Sequence, residues 1–107
     1  MLKIDKDCFV DARLNGQYVE TILDTCKKHG VTVLSVKSTK TRHGMHFYIE
    51  IDPPVDAQTA NNLQYLLGDD SKRVAFNNAR IVSGLAKWNK LFEVAGRRLR
   101  TIYRSRR

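Results

Sequence analysis

The segment Val31–Asp52, VTVLSVKSTKTRHGMHFYIEID, carries the clearest structural pattern in the chain. Its first part, Val31 to Lys37, is rich in β-branched residues; after a polar connection, Met45, Phe47, Ile49 and Ile51 alternate with His46, Tyr48, Glu50 and Asp52. Side chains two apart on a strand share a face, so the second run carries one apolar and one polar row. The two runs read as a hairpin of strands with the apolar row turned to a core. Working outward toward the N-terminus, Tyr18, Val19, Ile22, Leu23 and Cys26 recur at helical spacing behind Asn15, which can cap a helix. Lys27, Lys28 and His29 complement the C-terminal dipole of that helix, and Gly30 stops it. Before it, Leu2, Ile4, Cys8 and Val10 fall on one face of a strand against Lys3, Asp5, Asp7 and Phe9.

Toward the C-terminus, Pro53-Pro54 ends the sheet segment, and Asp56 can cap a second helix running through Ala60, Leu63, Leu66 and Leu67 to Gly68. Asp69-Asp70-Ser71 offers caps for a third helix through Val74, Asn78, Ile81 and Val82 to Gly84, although Arg73 to Phe76 also suits an extended segment. Leu91, Phe92 and Val94 suit a short closing strand. The order β-α-β-β-α-α-β predicts an α+β fold of ferredoxin-like or RRM-like plan, an antiparallel-containing sheet with helices on one face. In that plan the first and third strands lie side by side in the middle of the sheet. The uncovered face would present Asp5, Asp7 and Phe9 beside His46, Tyr48 and Glu50.

A chain of 107 residues suits one domain, expected over 1–96, followed by an Arg-rich tail over 97–107. With 42% hydrophobic and 28% charged residues it has the composition of a folded chain and not of a disordered one. No apolar run approaches the roughly 18–20 residues of a membrane span, and the N-terminus lacks a signal peptide's apolar stretch; the expectation is a cytoplasmic protein with no membrane partner. Cys8 and Cys26 are too few for a disulfide framework.

The net charge of +8 is unevenly spread. Arg97, Arg98, Arg100, Arg104, Arg106 and Arg107 occupy an acid-free end, which leaves 13 basic and 11 acidic side chains in residues 1–96. From Thr25 to Ile49 no acid occurs, while Lys27, Lys28, Lys37, Lys40 and Arg42 do. That is the electrostatic footprint of a polyanion binder, because each neutralised phosphate releases counterions. The expected partner is nucleic acid, single-stranded or branched DNA above all, with Lys37, Lys40, Arg42, His46, Tyr48, Arg97, Arg98, Arg100 and Arg104 as contacts and no cofactor required for binding. Phe9 and Tyr48 would form a stacking platform for bases. A protein-interaction module using an exposed sheet edge is an alternative.

Asp5 and Asp7, two apart on a strand, place their Cα atoms about 6–7 Å apart, within reach of one divalent cation. His46, Lys40 and Arg42 are suited to phosphates, so a divalent-metal-dependent nucleotidyltransferase or nuclease is a further alternative. Cys26, His29, His43 and His46 have a superficial zinc-site spacing, but Cys26 belongs to the apolar stripe of a helix and His43 and His46 flank a hairpin bend. Nucleophile elbows, P-loops and dinucleotide glycine patterns are absent.

Ile4-Asp5-Lys6-Asp7 in a first strand, a helix, and then VKSTKTRHGMHFY from Val36 to Tyr48 together resemble the archaeo-eukaryotic primase superfamily over roughly residues 2–52. The resemblance implies a role in DNA replication or repair. It implies Asp5 and Asp7 as a pair that binds magnesium or manganese, Ser38 and Gly44 as parts of a loop, and His46 as the catalytic residue that contacts the nucleotide. Thr39 stands where the family has its first loop glycine, the third metal-binding aspartate has only Asp52, Asp69 and Asp70 as candidates, and the chain is shorter than a complete primase catalytic domain. What is implied is a shortened relative that keeps affinity for DNA or nucleotides and has lost catalysis. LQYLLGDDSKR from Leu63 to Arg73 and WNKLF from Trp88 to Phe92 are also similar to small proteins of archaea and their mobile elements.

Overall fold

The expected hairpin is present, and the sheet is built around it. The computed structural model describes residues 1–6, 14–42, 44–91 and 98–106. Its elements are β1 (Leu2–Lys6), α1 (Leu14–Lys28), β2 (Thr32–Lys40), β3 (Met45–Asp52), α2 (Ala57–Leu66), α3 (Ser71–Val82) and β4 (Arg100–Arg104). The four strands form one sheet in the order β1-β3-β2-β4, with every neighbouring pair antiparallel. The α+β class and the order β-α-β-β-α-α-β therefore hold, and Arg73 to Phe76 is helical rather than extended.

Three local expectations change. Asn15 lies inside α1 rather than capping it, since the helix already includes Leu14. β1 is a neighbour of β3 as expected but sits at the sheet edge and not in the middle, because the last strand pairs with β2 on the far side. That last strand is Arg100–Arg104; Leu91 is outside any strand, and Phe92 and Val94 fall outside the described residues. Part of the stretch expected to be a tail is thus woven into the sheet, and the reason is apolar: Ile102 and Tyr103 pack against the core, with Tyr103 paired to Val36.

The core lies on one face of the sheet. Leu2 and Ile4 of β1, Val33 and Val36 of β2, and Phe47 and Ile49 of β3 meet Tyr18, Ile22 and Cys26 of α1 and Ala60 and Leu63 of α2, with Leu67 just beyond that helix. Val33 and Val36 reach the same core although three apart, because a bulge between Val33 and Ser35 resets the alternation. Each large apolar side chain fully buried here contributes about 1.5–3 kcal/mol. Tyr18 joins the layers: its ring meets Phe47 edge-on at 4.8 Å, and its hydroxyl donates to the Leu67 carbonyl at 2.7 Å. Burial, reinforced by the nearby Asp69 charge and by Cys26, raises its phenol well above the usual range and keeps it a donor.

Both acidic caps form. Asp56 accepts from the Thr59 amide at 2.8 Å and Asp70 from the Lys72 amide at 2.9 Å, satisfying first-turn donors of α2 and α3. Gly68 ends α2 at φ +86°, a left-handed backbone conformation that favours glycine.

Candidate nucleic-acid interface

β3 carries Phe47 and Ile49 to the core, so the intervening His46 and Tyr48 project from the opposite face. The register sets Asp5 across from His46 and Lys3 across from Tyr48 on one side, Thr39 and Lys37 on the other. His46 Nε2 lies 3.6 Å from Asp5 Oδ1, so the two residues expected to meet do meet. The row is not an open platform, however. His46 and Tyr48 are each only 8% exposed, held between cross-strand neighbours on both sides, and Tyr48 offers too little surface for a base to stack on. Phe9 and Asp7 lie outside the described residues, as do His43 and Arg97.

Asp5 and His46 supply two donors on the polar face, and among the described residues no group of three or more His, Cys, Asp or Glu is gathered to hold a metal ion. Cys26 is buried in the core on the other side of the sheet from His46, which separates the members of the zinc-like spacing. Burial pushes the Cys26 thiol up to about 11, so it behaves as a small apolar side chain.

The cations come together at the β2–β4 edge. Pairing of Ser38 with Arg100, Lys37 with Thr101 and Ser35 with Arg104 brings the acid-free middle of the chain alongside its arginine-rich end. Arg98, Arg100, Arg104 and Arg106 are exposed, as are Lys40 and Arg42 at the end of the hairpin, while Lys37 is half-buried. Lys37, Glu50 and Arg104, together with Leu34 and Ser35, line a hollow of about 270 Å³. Ser105 donates its amide to the Leu34 carbonyl at 2.8 Å, carrying the pairing one residue past β4.

The β1 edge is built differently. The amides of Lys3 and Asp5 donate to Gln64 Oε1 at 3.0 Å and to Asp69 Oδ1 at 2.9 Å, so side chains stand where a further strand would pair. Arg73 completes the seal: it donates to the Lys3 carbonyl at 2.9 Å, the Lys90 carbonyl at 2.9 Å, Asn89 Oδ1 at 2.6 Å and the Asp69 carboxylate. Asn89 in turn donates to Gln64 Oε1 at 2.7 Å, pinning the Lys87–Lys90 segment against α2 and α3. Burial raises the Asp69 carboxyl above its usual range, against the downward pull of the Asp5 amide and the Arg73 guanidinium.

Beside this seal opens a cleft of about 1000 Å³, with Trp88, Phe76, Ile51 and Val55 among its apolar walls and Lys72, Lys87 and Lys90 among its cations. None of Phe76, Trp88, Lys72, Lys87 and Lys90 was expected as a contact from sequence. A signal existed: Ser71 to Leu91 contains five Lys/Arg and no acid, a second acid-free run like that of Thr25 to Ile49. Among the described residues no helix is long and apolar enough to cross a membrane. Comparison with protein families, curated proteins and solved structures finds no match to this chain.

Proposed function

We propose that the protein binds nucleic acid through its phosphate backbone, with single-stranded DNA as the expected form, along the β2–β4 edge. The observation that carries this reading is the β2–β4 register, which merges two separate basic stretches of sequence into one exposed edge. Arginine suits the task, since its planar fork pairs with phosphate oxygens and stays charged at any working pH. Because β4 is a strand of the sheet, removal of 97–107 would damage the fold, and substitution of exposed arginines is the cleaner probe.

The test is the affinity for a labelled oligonucleotide followed by anisotropy across salt concentrations. A steep loss of affinity with salt is expected, and Arg100→Ala with Arg104→Ala should flatten the slope by about 1.4–1.8 in log–log terms, roughly 0.7–0.9 for each phosphate contact removed. A slope unchanged by the double substitution removes this edge from the account.

The facing of Asp5 and His46 favours a second reading, the divalent-metal-dependent nucleotidyl transfer that the primase resemblance implies. Among the described residues these two donors alone do not complete a divalent site. Manganese or magnesium added with a nucleotide should raise the thermal midpoint of the wild type and leave Asp5→Asn unmoved; equal behaviour of both proteins ends this reading.

A further inference from the structure

We infer that the cleft bounded by α3 and the Lys87–Lys90 segment seats an unstacked base of a single-stranded nucleic acid, with its phosphates met by Lys72, Lys87 and Lys90. This rests on the nucleic-acid reading above and assigns it a second contact surface. At about 1000 Å³ the cleft is at the upper end of the range that holds small organic ligands. Two of its lining side chains are aromatic. Phe76 is 63% exposed on α3, a large apolar ring left to solvent, and Trp88 lines the same space half-buried.

The wall carrying Trp88 is fixed in place rather than loose. Arg80 reaches the Trp88 carbonyl at 3.5 Å, and Arg73 holds the next two residues through Asn89 Oδ1 and the Lys90 carbonyl. Those two arginines are engaged in the protein's own hydrogen bonds, whereas Lys72, Lys87 and Lys90 are exposed around the opening. Of the acids in the lining, Asp70 is committed to capping α3 and Asp5 faces His46. A ligand that fits therefore brings negative charge together with a flat apolar body. A base with its flanking phosphates has both, and base–aromatic stacking tolerates any base. Duplex DNA keeps its bases inside the stack and cannot offer one to the cleft without melting.

Trp88 is the single tryptophan of the chain and reports directly on the cleft. The experiment titrates the full chain with a deoxythymidine oligomer and with a duplex of the same length. Trp88 emission and the anisotropy of the labelled nucleic acid are followed together. The oligomer should quench Trp88, and Phe76→Ala, at an exposed position that leaves the fold intact, should weaken oligomer binding roughly 5- to 150-fold while leaving duplex binding unchanged. Oligomer binding seen by anisotropy, with Trp88 emission constant and Phe76→Ala without effect, overturns the cleft assignment and leaves the basic edge standing. No anisotropy change with either nucleic acid overturns the underlying reading, and the cleft with it. Quenching by polyglutamate but not by the oligomer also overturns the assignment, since charge alone would then fill the cleft.

Discussion

Arginine closes one edge of the sheet and decorates the other. At the β1 edge, Arg73 has a side chain only 9% exposed, its donors are spent on the chain's own oxygens, and it faces a carboxylate that is fully buried. At the β4 edge, Arg100 and Arg104 are exposed and flank apolar residues that alone face the core. Both arrangements discourage pairing by a foreign strand, the first by occupying the edge hydrogen bonds and the second by lining the edge with like charge. Only the second leaves guanidinium groups open to a ligand. The same residue type is thus structural or available for recognition according to what surrounds it, and a count of positive charge does not separate the two.

The largest effect expected from this contrast is at Arg73. Arg73→Met should lower the unfolding free energy by about 3–5 kcal/mol, because it leaves the buried Asp69 carboxylate without its counter-charge and takes a donor from the Lys3 and Lys90 carbonyls. Urea denaturation measures this, and a loss below about 1 kcal/mol would place Arg73 with the surface arginines.

Asp69→Asn comes next and should cost less, since asparagine keeps an oxygen for the Asp5 amide and burial already disfavours the charge. Its pH dependence is the sharper readout. With the folded-state carboxyl raised above 3.8, the native protein holds the proton more tightly than the unfolded chain. The wild-type advantage over Asp69→Asn is therefore fully present below the unfolded value and declines as pH rises through the folded one. An advantage that grows with pH instead would show that the Arg73 charge outweighs burial.

The smallest change in stability belongs to the other edge. Arg100→Ala with Arg104→Ala should move the unfolding free energy by less than about 0.5 kcal/mol while altering the salt dependence of nucleic-acid binding. A large destabilisation would mean that β4 is held by its arginines as well as by Ile102 and Tyr103.

Much of this was legible because it is written in short-range pattern. The alternation from Met45 to Asp52, the helical spacing from Tyr18 to Cys26 and the acidic caps Asp56 and Asp70 each depend on neighbours a few residues away, and each element formed. The meeting of Asp5 with His46 was also legible, because pairing of β1 with β3 follows from the common order of such elements. The site was harder to read. A polar row on a strand reads as solvent-facing, yet on this central strand, flanked on both sides, His46 and Tyr48 are buried while Glu50 of the same row is exposed. The arginine-rich end looked like an appendage because its charge masked the two apolar residues that tie it to the core.

The α+β class, the positions of the helices and hairpin, and the excess of positive charge could be read from residue order, since all three depend on composition or on spacing within a few residues. Tertiary structure alone decided that β4 pairs with β2, that Arg73 is sealed inside while Arg100 and Arg104 stay outside, and that Phe76 and Trp88 share a cleft. Those facts join residues far apart in the chain, and which of them meet depends on how the whole set of apolar faces packs at once, something no local pattern encodes.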